Sequence, residues 1–91
     1  MKYLVAFDVS SNRRRGAVVR SCLAYGFRVQ KSVFEIFMER SNVDEFEDRM
    51  LQMIDENSDS VRIYPLDSEA DQGIRIVGNG KRIEQQKFRI I

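Results

Sequence analysis

Asp8 is the only acid among the first 34 residues, and it lies at the end of an apolar run from Lys2 to Val9 (KYLVAFDV). A carboxylate at a strand's end is fixed by the sheet and left open by the following loop, the usual setting for a group that meets substrate or a metal ion. Spacing alone leaves a second possibility: Asp8 caps the following turn or pairs with an arginine of the run Arg13, Arg14, Arg15. Those arginines fall in the first turn of a helix, where cations oppose the macrodipole and call for a compensating anion. Phosphate suits helix N-terminal amides and guanidinium forks together. A solvated basic turn or a structural pair with Asp8 would also answer.

The chain contains no histidine and one cysteine, Cys22. Ser-His-Asp, Cys-His, histidine-ligated and multi-cysteine zinc chemistry are therefore excluded, and so is an internal disulfide. Catalysis has to rest on carboxylates, hydroxyls, arginines or a hard ion. Mg2+ or Mn2+ is the matching cofactor class, because such ions need a carboxylate or two plus water and substrate phosphates. Cys22 reads as a small apolar filler.

Several elements must position these groups. KYLVAFDV has the length and β-branched or aromatic content of a buried strand, and Ser10-Ser11-Asn12 supplies a turn and a helix N-cap. Val18, Cys22 and Tyr25 then recur at helical spacing, with Gly26 expected to stop the helix as its C′ residue. Arg28 to Met38 reads as two short strands kinked near Ser32. Asn42 and Glu45 fit a capping box, and Val43, Phe46, Met50, Leu51 and Ile54 trace the apolar face of a second helix whose other face is acidic. Ser60 to Leu66 is a strand ended or pushed to the sheet edge by Pro65, and Asp67 to Gln72 reads as a polar loop. Gly73 to Val77 and Lys87 to Ile91 read as further short strands around a Gly78-Asn79-Gly80 turn.

The order strand, helix, strand, strand, helix, strand is the split βαβ arrangement of an α/β (α+β) ferredoxin-like domain, βαββαβ, with an extra C-terminal strand. The expected organisation is one domain over residues 1–91, with 78–91 as an extension that pairs with a partner protomer. A core this small also favours a homodimer. No apolar run is long enough to span a bilayer, and the start lacks a signal-peptide pattern, so no membrane partner and a cytoplasmic location are expected.

The net charge of +1 conceals separated signs: +5 over residues 1–40, −8 over 41–72 and +4 over 73–91. Such asymmetry gives a face for a polyanion and another that repels it or meets a basic partner, unless it is simply an unevenly charged solvated surface. The candidate nucleic-acid contacts are Arg13, Arg14, Arg15, Arg28 and Lys31.

The strings Tyr3 to Asp8 (YLVAFD), Arg28 to Glu35 (RVQKSVFE) and Asp59 to Tyr64 (DSVRIY), in that order and spacing, resemble the second adaptation family of CRISPR-associated proteins. The resemblance covers most of residues 3 to 66. It implies a ferredoxin-like homodimer, a metal-dependent phosphodiesterase acting on RNA or DNA, Asp8 as catalytic residue and metal ligand, and the CRISPR integrase subunit as partner. It also implies that Arg15, Arg28 and Phe34 lie near the site. Two departures stand out: Ser10-Ser11-Asn12 occupies a turn where many members carry further acids, and Phe7 stands where tyrosine is frequent. A non-catalytic DNA-binding scaffold of the integrase complex is the alternative function. A toxin-like ribonuclease or a small-molecule regulatory domain would leave the paired RVQKSVFE and DSVRIY strings unexplained.

Overall fold

Alternating side chains along the first strand decide the architecture. Tyr3, Val5, Phe7 and Val9 are buried on one face, while Leu4, Ala6 and Asp8 project from the other, as a period of two requires. The computed structural model describes residues 1–77. Its elements are strand β1 (Lys2–Asp8), helix α1 (Asn12–Leu23), strands β2 (Gly26–Gln30) and β3 (Val33–Phe37), a 3-10 turn (Arg40–Asn42), helix α2 (Val43–Met53), strand β4 (Ser60–Leu66) and a short helix α3 (Ser68–Gln72).

The four strands form one antiparallel sheet in the order β2-β3-β1-β4, the ferredoxin-like order. Phe34, Ile36 and Met38 continue the buried face of β1, and Val18 and Cys22 of α1 with Phe46 and Met50 of α2 close over it. The two long helices thus share one side of the sheet. Burial pushes the Cys22 thiol up to about 12, so it stays protonated and serves as core. No helix among the described residues is long and apolar enough to cross a membrane.

Several expectations need correction. Gly26 does not stop α1, which ends at Leu23 with Ala24 as its cap. It opens β2 instead, where an added Cβ would collide with the backbone carbonyl of Glu35 on the adjacent strand. Asn42 forms no capping box: it closes the 3-10 turn with φ −93° and ψ −7°, a helical conformation in which its side chain makes no cap hydrogen bond. Leu51 is exposed at 45% rather than packed, so the buried stripe of α2 is narrower than its apolar content suggests.

Residues 68–72 are helical rather than a loop, because the Asp67 carboxylate caps the turn by accepting from the Ala70 amide at 2.8 Å. Lys2 fastens this helix to the sheet, with its Nζ 2.9 Å from Glu35 and 2.5 Å from Asp71. Residues 74–77 form no strand, and Ile74, Ile76 and Val77 are exposed. Pro65 does lie on an edge strand, β4. The expected turn at 78–80, the last strand and the extension 78–91 lie outside the described residues.

Candidate functional site

Asp8 is the last residue of β1 and is registered opposite Ser60, the first of β4. Its side chain is exposed on the sheet face away from the long helices, and no described residue hydrogen-bonds or ion-pairs with its carboxylate. That answers the question left open by spacing. Asp8 neither caps the turn nor pairs with an arginine of the 13–15 run.

The anion that compensates the basic turn is Asp59, which reading along the chain did not single out. Arg14 Nε donates to Asp59 Oδ2 at 2.8 Å and Arg14 Nη2 to Oδ1 at 3.3 Å, a forked pair whose carboxylate is fully covered. The same carboxylate accepts from the Ser10 amide at 3.1 Å, the Ser10 hydroxyl at 3.3 Å and the Asp55 amide at 2.9 Å. The Arg14 hydrogen bond, followed by the backbone donors of Asp55 and Ser10, holds Asp59 well below the usual carboxylate range despite the opposing effect of burial.

The three arginines therefore do different work. Arg14 is committed to Asp59, which makes it a structural residue before it is a phosphate ligand. Arg15 Nη1 donates to the Val9 carbonyl at 3.1 Å and its Nη2 to Asn12 Oδ1, fastening the loop that follows Asp8. Arg13 is exposed and makes no hydrogen bond or ion pair with described residues.

Lys31 lies in the β2–β3 turn, and that turn abuts the same end of β1: the Phe7 amide donates to the Ser32 carbonyl at 3.0 Å. Arg28 is on edge strand β2, registered with Phe34 and so on the opposite sheet face from Asp8, with its guanidinium 5.2 Å from the Phe34 ring centre. Phe34 is wholly buried, so it lies beneath the site rather than in it. Its ring stacks on Phe7 at 6.0 Å, immediately before Asp8. Arg62 is a cation the sequence reading passed over. It is registered with Ala6, which places it on the face of Asp8 and diagonal to it. The single arginine in a strand of mixed composition gives no such signal without the register.

A cleft of about 370 Å³ lined by Met1, Lys2, Arg40, Leu66 and Asp71 opens at the opposite end of β1, roughly 20 Å from Asp8 at the rise of an extended strand. Its Lys2 is already paired with Glu35 and Asp71, and a polyanion needs an open surface such as the Asp8 end provides. Among the described residues no group of three or more Asp, Glu, His or Cys gathers as a metal cage. Asp8 fits a hard ion that keeps most of its water and takes further oxygens from phosphate, a coordination open to Mg2+ and Mn2+.

The depressed Asp59 carboxylate makes stability pH-dependent. Its contribution is complete above the unfolded value of 3.8 and is lost progressively as pH falls below it. The thermal midpoint should drop on acidification from pH ~5 to ~2, and Asp59→Asn should flatten that dependence in melts followed by circular dichroism.

A family model described as CRISPR associated protein Cas2 matches residues 1–74. The chain is 40% identical over 83 residues to the CRISPR-associated endoribonuclease Cas2 1 of Moorella thermoacetica, covering 86% of each. The crystal structure of Streptococcus pyogenes Cas2 at pH 6.5 superposes with a TM-score of 0.77 at 34% identity, over 86% of this chain and all of that one. A chain of a partial Cas6-RT-Cas1–Cas2 complex superposes with a TM-score of 0.73 at 31% identity, over 92% of this chain and 91% of that one.

Proposed function

The chain belongs to the Cas2 family of CRISPR-associated proteins, and on that premise we propose that it is a CRISPR adaptation subunit with endonuclease activity that depends on Mg2+ or Mn2+ held at Asp8. The observation that carries this reading is the exposed Asp8 carboxylate at a strand end, free of the arginines that follow it because Asp59 has taken Arg14.

Each residue has a definable task. Asp8 would hold the ion, and a homodimer would bring a second copy of Asp8 across a two-fold axis to complete what one carboxylate per chain cannot. A bound ion supplies polarisation of the scissile phosphate and a water that ionises near neutral pH. Arg13, Arg28 and Lys31 bind backbone phosphates of DNA or RNA, and the acidic face of α2 turns the polyanion away. The test is cleavage of RNA, single-stranded DNA and duplex by the purified protein. Products should form with Mg2+ or Mn2+ and vanish with a chelator, and chelator-resistant cleavage would refute the reading.

A second reading is favoured by the likeness to a chain from a Cas1–Cas2 complex. In it the same dimer is a partner of the CRISPR integrase subunit and its basic surface is an architectural DNA platform. Both readings use the same phosphate contacts and differ at Asp8.

A further inference from the structure

We propose that Asp59 is the positioning residue for Asp8, setting the loop on one side of it and the strand paired to it on the other. The inference rests on the reading of Asp8 as a metal ligand and extends it to a residue the catalytic step does not touch.

Lys2 and Asp59 are the buried charged residues among those described. Lys2 joins α3 to the sheet, far from Asp8. The donors to Asp59, by contrast, surround the end of β1. Ser10, two residues after Asp8, gives it both an amide and a hydroxyl hydrogen bond. Arg14 brings the first turn of α1, itself capped by the Ser11 hydroxyl accepting from the Arg14 amide at 3.3 Å. The Asp55 amide and the Ser58 hydroxyl bring the α2–β4 connection. Asp59 also leads directly into Ser60, the register partner of Asp8.

Asp8 is thereby held from two directions that converge on one carboxylate, through the β1–β4 ladder and through the loop. The Ser10 amide is the donor that ties this carboxylate to the loop following Asp8. The arrangement leaves the Asp8 side chain free while fixing the backbone on both sides of it, as a ligand site requires when most of its donors are water and substrate. Its partners come from separated segments of the chain, so the sequence gives no local sign of it.

The experiment compares full-length wild type, Asp8→Asn, Asp59→Asn and Ser10→Ala, with Mn2+ alone as the binding probe, cleavage kinetics, and circular dichroism to establish that each is folded. Folded Asp59→Asn should bind Mn2+ about 10–100-fold more weakly and lose a similar factor in kcat, as other outer-shell changes do. KM for nucleic acid should hold within about twofold, because the phosphate contacts remain. Ser10→Ala removes only the hydroxyl bond and keeps the Ser10 amide and the Arg14 pair on Asp59, so the same pattern should appear in smaller measure, at about three- to tenfold. Wild-type Mn2+ affinity and kcat in folded Asp59→Asn overturn the inference. Should that variant not fold, wild-type values in Ser10→Ala overturn it. Wild-type cleavage by Asp8→Asn overturns the metal-ligand reading itself, a result separable from either.

Discussion

Removing Arg13, Arg28 and Lys31 together should weaken duplex binding and flatten its salt dependence by about three units for three phosphate contacts per chain. These cations are exposed, and none is paired with a carboxylate among the described residues. Each contact releases condensed counterions, so the loss should be similar across sequences and greatest at low salt. Arg14→Ala should behave differently. It strips the covered Asp59 carboxylate of its cation, and its principal effect should be a lower thermal midpoint. Converting Glu47 and Asp48 to Ala, on the exposed face of α2, should leave direct binding almost unchanged. Fluorescence anisotropy across a salt series separates the three variants, and the largest loss in the α2 variant would show that the charge map had been misassigned.

Much of this was legible in the chain because it is encoded locally. The apolar run ending in Asp8, the polar Ser10-Ser11-Asn12 turn, the break near Ser32 and the edge proline each predict their own surroundings, and the element order through residue 66 follows. The ion pair was not legible. Asp59 is one of ten acids between residues 41 and 72 and is distinguished by a contact 45 residues away, which no spacing rule reaches. Arg14 was consequently grouped with neighbours it does not resemble in role.

Gly26 misled for a related reason. A glycine after a helix suggests a left-handed cap, but here the requirement comes from the opposite strand, whose backbone leaves no room for a Cβ. Asn42 carried the right side chain for a cap at a backbone conformation that cannot use it, and Asp67 carried one that was used. Phe34 lies in the core, stacked on Phe7, and presents no exposed ring.

The larger effect is expected at Asp8. Asp8→Asn keeps the size and shape of the side chain and removes the charge a hard cation needs, while Asp8 is exposed and has no hydrogen-bond or ion-pair partner among the described residues. Disturbing an outer-shell partner costs up to about 100-fold, so losing the ligand itself should cost cleavage at least that much. Dimerisation, the phosphate contacts and assembly with the integrase subunit should persist, because the proposed function assigns none of them to Asp8. Binding to nucleic acid without metal should tighten slightly as an anionic group is removed. The most direct measurement is a Mn2+ titration of wild type and Asp8→Asn followed by paramagnetic resonance, with cleavage read on the same samples. The account predicts one ion per two wild-type chains and loss of both ion and cleavage in Asp8→Asn. Undiminished Mn2+ binding and cleavage by folded Asp8→Asn would contradict it.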